Sequence, residues 1–430
     1  MMRFRRAAAV AAVLQLAVGA LPAARAQASG AQAVAARRLG FAPERLARID
    51  SYLQRAVDSN RIAGAVGLVL RNGQVVYQRA VGWADNEAGR RMTVESMFRI
   101  ASQTKAMTSA VILSLMEEGK VALSDPVSRF IPAFARTTVA TRADTGRVIR
   151  PATREITIRD LLTHTAGVSY GTEDLVAPLY AAKGLGPAAG FGWYTADKDE
   201  PVCTTMERLA TLPFVAQPGE AWVYGYSTDI LGCVADRASR MALDELIRRR
   251  VTGPLGLEDT YFFIPVEKRI RLVAVYASDT SNHAVRAPDG ATGQGHYVEG
   301  PRRNFSGGAG LVSTARDYAR FLQMVLRGGT LGPTRLLAPH TVMLMTTNQV
   351  GTLFGTAGLG FGMGFETVDR YGADDLSSVG TFGWGGAYGS QYKVDPKERL
   401  VMVFMINQLP NSSDVSTKFF TLVYQALVKG

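Results

Sequence analysis

In "FRIASQTKAMTSAVILSLMEEGK", residues 98–120, Ser102 stands three residues before Lys105, and an apolar run of helical character follows. On a helix, positions i and i+3 share a face, so the two side chains can meet. A serine hydroxyl is a poor nucleophile until a base takes its proton. A lysine serves as that base when burial or the positive end of a helix favours its neutral amine. The competing reading is a helix cap followed by a surface lysine. Two other stretches act as internal controls. "SQYK", Ser390 to Lys393, has the same spacing but sits in an expected strand, where i and i+3 point to opposite faces. "GVSYG", Gly167 to Gly171, matches the nucleophile-elbow pattern, which needs a strand before it and a helix after it. Here the helix-like "IRDLLTHT" precedes it and an irregular acidic loop follows, so Ser169 is read as no nucleophile.

The elements that must position the Ser102–Lys105 pair are legible at both ends of the chain. "FAPERLARIDSYLQRAVDSNRI" reads as an amphipathic helix with Leu46, Ile49, Leu53 and Val57 at helical spacing. "AGAVGLVLRNGQVVYQRAVGWAD" reads as a hairpin turning at Asn72-Gly73. The Ser102 stretch is a helix ending near Gly119. Residues 125–304 mix short helices with Gly/Pro/Asp-rich connections. From about 305, "STARDYARFLQMVLRGG" is a helix capped by Ser313 or Thr314, "GAYGSQYKVDPKERLVMVFMINQ" a hairpin turning at Asp395-Pro396, and "SSDVSTKFFTLVYQALVKG" a final helix. Helix and hairpin in front, hairpin and helix behind, predict an α+β architecture. One central antiparallel sheet, built from about 27–124 and 305–430, is flanked by helices. A helical, loop-rich region, about 125–304, is inserted between its two parts.

Of the 430 residues, 47% are hydrophobic and 20% charged, which excludes a disordered chain. The start reads as a secretory signal: Arg3, Arg5 and Arg6, an apolar run from Ala7 to Leu21, and "ARA" at 24–26 predict cleavage after Ala26. Residues 27–430 are then one domain in the periplasm or outside the cell, with no stable membrane span. Loss of the four signal arginines lowers the formal charge from +11 to +7. That charge is scattered and argues against a nucleic-acid site. Cys203 and Cys233 enter an oxidising compartment on this reading; the sequence leaves open whether they pair. The four histidines are scattered, and no metal or other cofactor is expected.

Five ordered blocks carry a resemblance: "FRIASQTKAMTSAVILSLMEEGKVALSDPVSRFIP", "ITIRDLLTHTAGV", "PGEAWVYGYSTDILG", "GGAGLVSTARDYARFLQMV" and "GWGGAYGS". Together they resemble the β-lactamase-related serine hydrolases, which include class C β-lactamases, D-alanyl-D-alanine peptidases and family VIII carboxylesterases. The resemblance covers nearly all of the mature chain and implies the serine β-lactamase/transpeptidase-like fold. It implies that Ser102 is the acylated serine, Lys105 its partner, and Tyr224 the proton relay of a Tyr-x-Asn element. It implies an oxyanion hole from the main-chain N–H groups of Ser102 and Ala387. His164, in "LLTHTAG", is read as a structural, hydrogen-bonded histidine.

The sequence departs from that pattern twice. Trp384 stands where class C enzymes have the lysine of Lys-Thr-Gly, which removes a charge-assisted contact to a substrate carboxylate and supplies an apolar wall. Tyr226 replaces the asparagine of Tyr-x-Asn, and a phenol cannot reproduce an amide's paired donor and acceptor. Trp384, Gly385, Gly386 and Tyr226 are therefore expected to line a substrate pocket, with the glycines allowing close approach. The expected partner is a small-molecule ester or a β-lactam-like compound. The leading function is a carboxylesterase for short-chain or apolar esters. A β-lactamase, a D-alanyl-D-alanine carboxypeptidase or an acyltransferase are the alternatives, and oligomeric state is open.

Overall fold

The computed structural model of the chain describes residues 30, 33–144, 146–187, 197–290 and 292–429. The expected signal, residues 1–26, lies outside them. Helix α1 (Pro43–Asp58) starts on a proline, whose missing N–H falls where a helix needs no donor, and buries Leu46, Ile49, Leu53 and Ala56. The hairpin of β1 (Gly64–Arg71) and β2 (Gln74–Asp85) turns on Asn72 and Gly73. Their φ values of 53° and 79° suit the turn that matches strand twist. Strand β3 (Arg90–Arg91) closes that edge.

Helix α2 (Thr104–Glu117) carries Lys105 and is buried on nearly every side. That suits a sequence without a polar face. A hairpin of β4 (Thr138–Ala143) and β5 (Gly146–Pro151) follows, where the sequence reading placed only helices and loops. The β-branched residues Val139, Thr141, Val148 and Ile149 favour strands there, a local signal that the composition of the surrounding connections outweighs in the sequence. Helices α3 (Ile158–Leu162), α4 (Val202–Leu209) and α5 (Ser227–Ser239) complete the middle of the chain near the site. Cys203 of α4 and Cys233 of α5 form a disulfide, which settles the pairing.

Helix α6 (Ala315–Leu326) is capped by Thr314, whose hydroxyl accepts from the Asp317 N–H. Strands β6 (Leu359–Phe361), β7 (Glu366–Val368), β8 (Phe382–Gly385), β9 (Gln391–Asp395) and β10 (Leu400–Met405) precede α7 (Val415–Ala426). The sheet runs β6-β7-β8-β9-β10-β1-β2-β3. Strand β10 pairs antiparallel with β1, with Val69 opposite Met402, so the two ends of the chain do complete one sheet. All six residues of β10 are buried because both faces are covered. On one face Val69, Met402 and Phe404 pack on α1 and α7; on the other Val66, Leu68, Val403 and Met405 join the core of α2, α5 and α6.

Candidate active site

Ser102 lies in a single 3-10 turn, Ala101–Gln103, that leads directly into α2. Ala101 is held at φ 43°, a region that costs a residue with a Cβ about 1–3 kcal/mol and persists when the surroundings over-determine it. The surroundings here are specific. The Ile100 N–H donates to Leu311 O at 3.0 Å, and Tyr318 Oη donates to Gln103 O at 2.8 Å. Helix α2 fastens the segment after residue 305 with its own side chains. Thr104 Oγ1 accepts from the Leu311 N–H at 3.1 Å, and Thr108 Oγ1 donates to Gly307 O at 2.8 Å.

Lys105 Nζ sits 3.3 Å from Ser102 Oγ, so the i, i+3 pairing exists. Nζ also donates to Tyr170 Oη at 2.9 Å and to Gly308 O at 2.8 Å. The lysine is 2% exposed and the serine 7%. Tyr224 presents its ring face to Lys105, with Nζ 4.6 Å from the ring centroid. Its hydroxyl accepts from Trp384 Nε1 at 3.0 Å. Thus Lys105 hydrogen-bonds to Tyr170, whereas the sequence reading gave the phenol partner of the lysine to Tyr224 alone. Burial, then Tyr224 and Asp229, push the Tyr170 phenol well above its ordinary range, so it stays protonated and serves as a neutral acceptor. Tyr170 was legible only as a neighbour of the rejected Ser169 in "GVSYG". Ser169 itself is fully buried and accepts from the Gly171 N–H at 3.0 Å, with no helix behind it.

A cavity of about 630 Å³ has Ser102, Tyr170, Tyr224, Trp384, Gly385 and Ala387 in its wall. Ala387 is the second residue of the turn Gly386–Gly389, which is closed by the Gly389 N–H donating to Gly386 O at 2.9 Å. That position leaves its own N–H outside the turn's hydrogen bond. Ser102 is in the first turn of its helical segment, where N–H groups lack partners within the helix. Ser102 and Ala387, the two residues expected to supply oxyanion donors, thus border one cavity.

Two pocket assignments from the sequence need correction. Tyr226 does not line the cavity: it is fully buried, accepts from the Gly186 N–H at 3.0 Å, and its ring stands edge-on to Tyr170 at 4.9 Å. A large apolar ring at that position is better buried behind Tyr170 than exposed in front of it. Gly386 is not in the cavity wall and faces the turn that carries Ser102, because a Cβ there would come 2.4 Å from Ile100 O. His164 is buried, as expected of a structural histidine, but its Nδ1 lacks the expected hydrogen bond among the described residues. Its ring packs against Tyr224 at 4.9 Å, Phe361 at 5.4 Å and Trp222 at 5.8 Å. Burial, and then Lys105, hold it well below the usual histidine range, so it is neutral. In the "SQYK" control, Ser390 Oγ donates to Ile406 O at 2.7 Å while Lys393 Nζ reaches Asp374 at 2.6 Å, so that pair does not meet. Among the described residues no cluster of three or more His, Cys, Asp or Glu side chains could hold a metal, and no helix is long and apolar enough to cross a membrane.

Relatives share this architecture over most of the chain. An uncharacterized Mycobacterium tuberculosis protein is 34% identical over 385 residues, spanning 84% of this chain and 90% of that one. Esterase EstB of Burkholderia gladioli is 32% identical over 376 residues, with 84% and 90% covered. Among solved structures, EstCE1, described as a hydrolase with promiscuous acyltransferase activity, superposes with a TM-score of 0.71 at 28% identity, covering 91% of this chain and all of that one. The family model described as Beta-lactamase matches residues 49–425. With a match of that extent and these relatives, the chain is a member of the beta-lactamase family.

Proposed function

We propose that the protein is a serine carboxylesterase for short-chain or apolar esters, acting in the periplasm or outside the cell through an acyl-enzyme on Ser102. The observation that carries the reading is the convergence of Ser102, Tyr224 and Trp384 on one cavity, with Lys105 Nζ buried 3.3 Å from the Ser102 hydroxyl and under the Tyr224 ring. Ser102 Oγ attacks the ester carbonyl carbon while Lys105, held beside it, takes the hydroxyl proton. The oxyanion forms against the N–H groups of Ser102 and Ala387, an interaction typically worth about 3–4 kcal/mol per donor. The C–O bond to the alcohol breaks as the alcohol oxygen takes a proton from the Tyr224 hydroxyl at the cavity wall, and the proton held by Lys105 restores that hydroxyl. Water then attacks the acyl carbon, gives a proton back along the same route, and frees Ser102 and a carboxylic acid.

Trp384 supports esters over carboxylate-bearing amides. It turns a broad apolar ring to the cavity, and its N–H is already engaged by Tyr224 rather than offered to an anion. The names of the relatives, an esterase and a hydrolase with acyltransferase activity, agree with ester chemistry. The Cys203–Cys233 disulfide supports an oxidising compartment.

Aryl esters from acetate to decanoate test the substrate class, and a serine-reactive phosphonate with mass spectrometry tests the nucleophile. The expected result is turnover favouring the shorter acyl groups and one adduct, at Ser102, lost in Ser102→Ala. A folded protein that turns over none of the esters, or is labelled elsewhere, would refute the proposal.

A further inference from the structure

Asp229, in the first turn of α5, is a buried carboxylate that the ester chemistry above leaves unused. It is 1% exposed and does not line the cavity. Oδ1 accepts from Ser306 Oγ at 2.5 Å and from the Gly308 N–H at 3.2 Å. Oδ2 is buried without a hydrogen-bond partner among the described residues. An ionised carboxylate in such a place costs several kcal/mol unless an opposite charge offsets it. Lys105 is the basic side chain that favours its ionised form. The two are also joined mechanically: the glycine whose N–H binds Asp229 offers its carbonyl to Lys105 Nζ at 2.8 Å. A Cβ on Gly308 would come 2.4 Å from Asp229 Oδ2, so glycine is what lets the carboxylate close on this turn.

The titratable groups around Lys105 are His164 at the end of α3, Tyr170 in the segment after it, Tyr224 before α5, and Asp229 on α5. His164 is neutral and Tyr170 is a neutral phenol. That leaves Asp229 as the carboxylate in the group.

We propose that Asp229 is a positioning residue for the Ser102–Lys105 pair: it clamps the Ser306–Gly308 turn so that the Gly308 carbonyl faces Lys105 and holds Nζ beside Ser102 Oγ. The inference rests on the reading of Ser102 and Lys105 as the acylated pair. Burial pushes the Asp229 carboxyl up, while Ser306, Lys105 and the Gly308 N–H pull it back.

The test is kcat and KM for an aryl ester in the full chain carrying Asp229→Asn or Ser306→Ala. Asparagine keeps the shape and turns the charge-assisted bonds of the clamp into neutral ones, about half as strong. The turn should then hold Lys105 less firmly, and kcat should fall about tenfold with KM changed by less than about twofold, because the base is displaced and substrate binding is not. Ser306→Ala removes one of the two donors to the carboxylate. It should lower kcat in the same way by less, and it keeps the test alive if Asp229→Asn does not fold. A kcat equal to the unmodified protein's, with a change only in thermal stability, would make Asp229 merely structural and overturn the proposal. Phosphonate labelling of Ser102 separates the two levels. Intact labelling with an unchanged kcat sinks this inference alone, whereas no labelling sinks the reading beneath it.

Discussion

The indole Nε1 of Trp384 donates to the phenol oxygen of Tyr224 at 3.0 Å. An indole N–H can only donate, so it takes one lone pair of the phenol and leaves the phenol's own proton directed elsewhere. Trp384 is thus both a wall of the cavity and a support for Tyr224. Trp384→Phe keeps an apolar ring and deletes the donor. We expect kcat on a short aryl ester to fall about 3- to 10-fold, the worth of one neutral hydrogen bond, with KM changed by less than about twofold. Steady-state kinetics checks this, and an unchanged kcat would remove Trp384 from the support of Tyr224.

Tyr224 and Ser169 should behave in opposite ways. Tyr224→Phe leaves the ring over Lys105 and removes the group proposed to pass a proton, so kcat should drop by about 10²–10⁴. Ser169→Ala touches a fully buried hydroxyl outside the cavity. It should keep kcat within about twofold and cost about 1 kcal/mol of stability through the lost Gly171 N–H bond. Loss of turnover in a folded Ser169→Ala protein would revive the elbow motif as a candidate.

The proposed oxyanion donors, on Ser102 and Ala387, depend on how closely the turn after β8 meets the turn before α2. Gly386 permits the approach, since a Cβ would lie 2.4 Å from Ile100 O. Gly386→Ala should push Ala387 away from Ser102 and lower kcat by about 10²-fold, the scale of one lost donor. Circular dichroism and a melting curve should show the fold retained. Activity close to that of the unmodified protein would mean that the two turns shift together and that the contact is not what sets the donors.

Local physics made the frame and the centre of this site readable in the sequence. The Asn72-Gly73 turn, the stripe of α1 and the cap of α6 each depend on residues a few positions apart. Ser102 and Lys105 share one helical turn, so their meeting followed from spacing. What stayed hidden was long-range. Tyr170 reaches Lys105 from 65 residues away, and a lone tyrosine has no periodic signature. Tyr226 was misplaced because its neighbour in sequence, Tyr224, does border the cavity, and the sequence does not say which of the two turns inward. His164 was read as hydrogen-bonded, whereas aromatic rings from two distant segments, Trp222 with Tyr224 and Phe361, surround it.

The disulfide fastens α4 to α5 across a sequence separation of 30. Closing a loop of that length restrains the unfolded chain by about 3–4 kcal/mol in the chain-entropy account. The double variant Cys203→Ala, Cys233→Ala should therefore melt several degrees lower while kcat on an aryl ester changes little, because neither cysteine lines the cavity. A melting temperature equal to that of the oxidised protein would mean that the bridge contributes nothing to stability.

Asp236, also on α5, gives stability a pH dependence of known sign. Its Oδ1 is buried with no partner among the described residues, and burial, with Asp244 beside it, pushes the carboxyl up to about 7 from an ordinary 3.8. The folded state therefore holds the Asp236 proton more tightly than the unfolded state does. Below about pH 4 both states are protonated and the group costs nothing; as pH rises towards 7 the unfolded state ionises first, and stability falls. Above 7 the cost is fully present, on the order of 2 kcal/mol for a partly shielded carboxylate. Asp236→Asn removes the charge at every pH. It should raise the melting temperature by a few degrees at pH 8 and leave it nearly unchanged at pH 4. Thermal melts of both proteins at the two pH values decide this, and an equal gain at pH 4 would assign the effect to packing instead of ionisation.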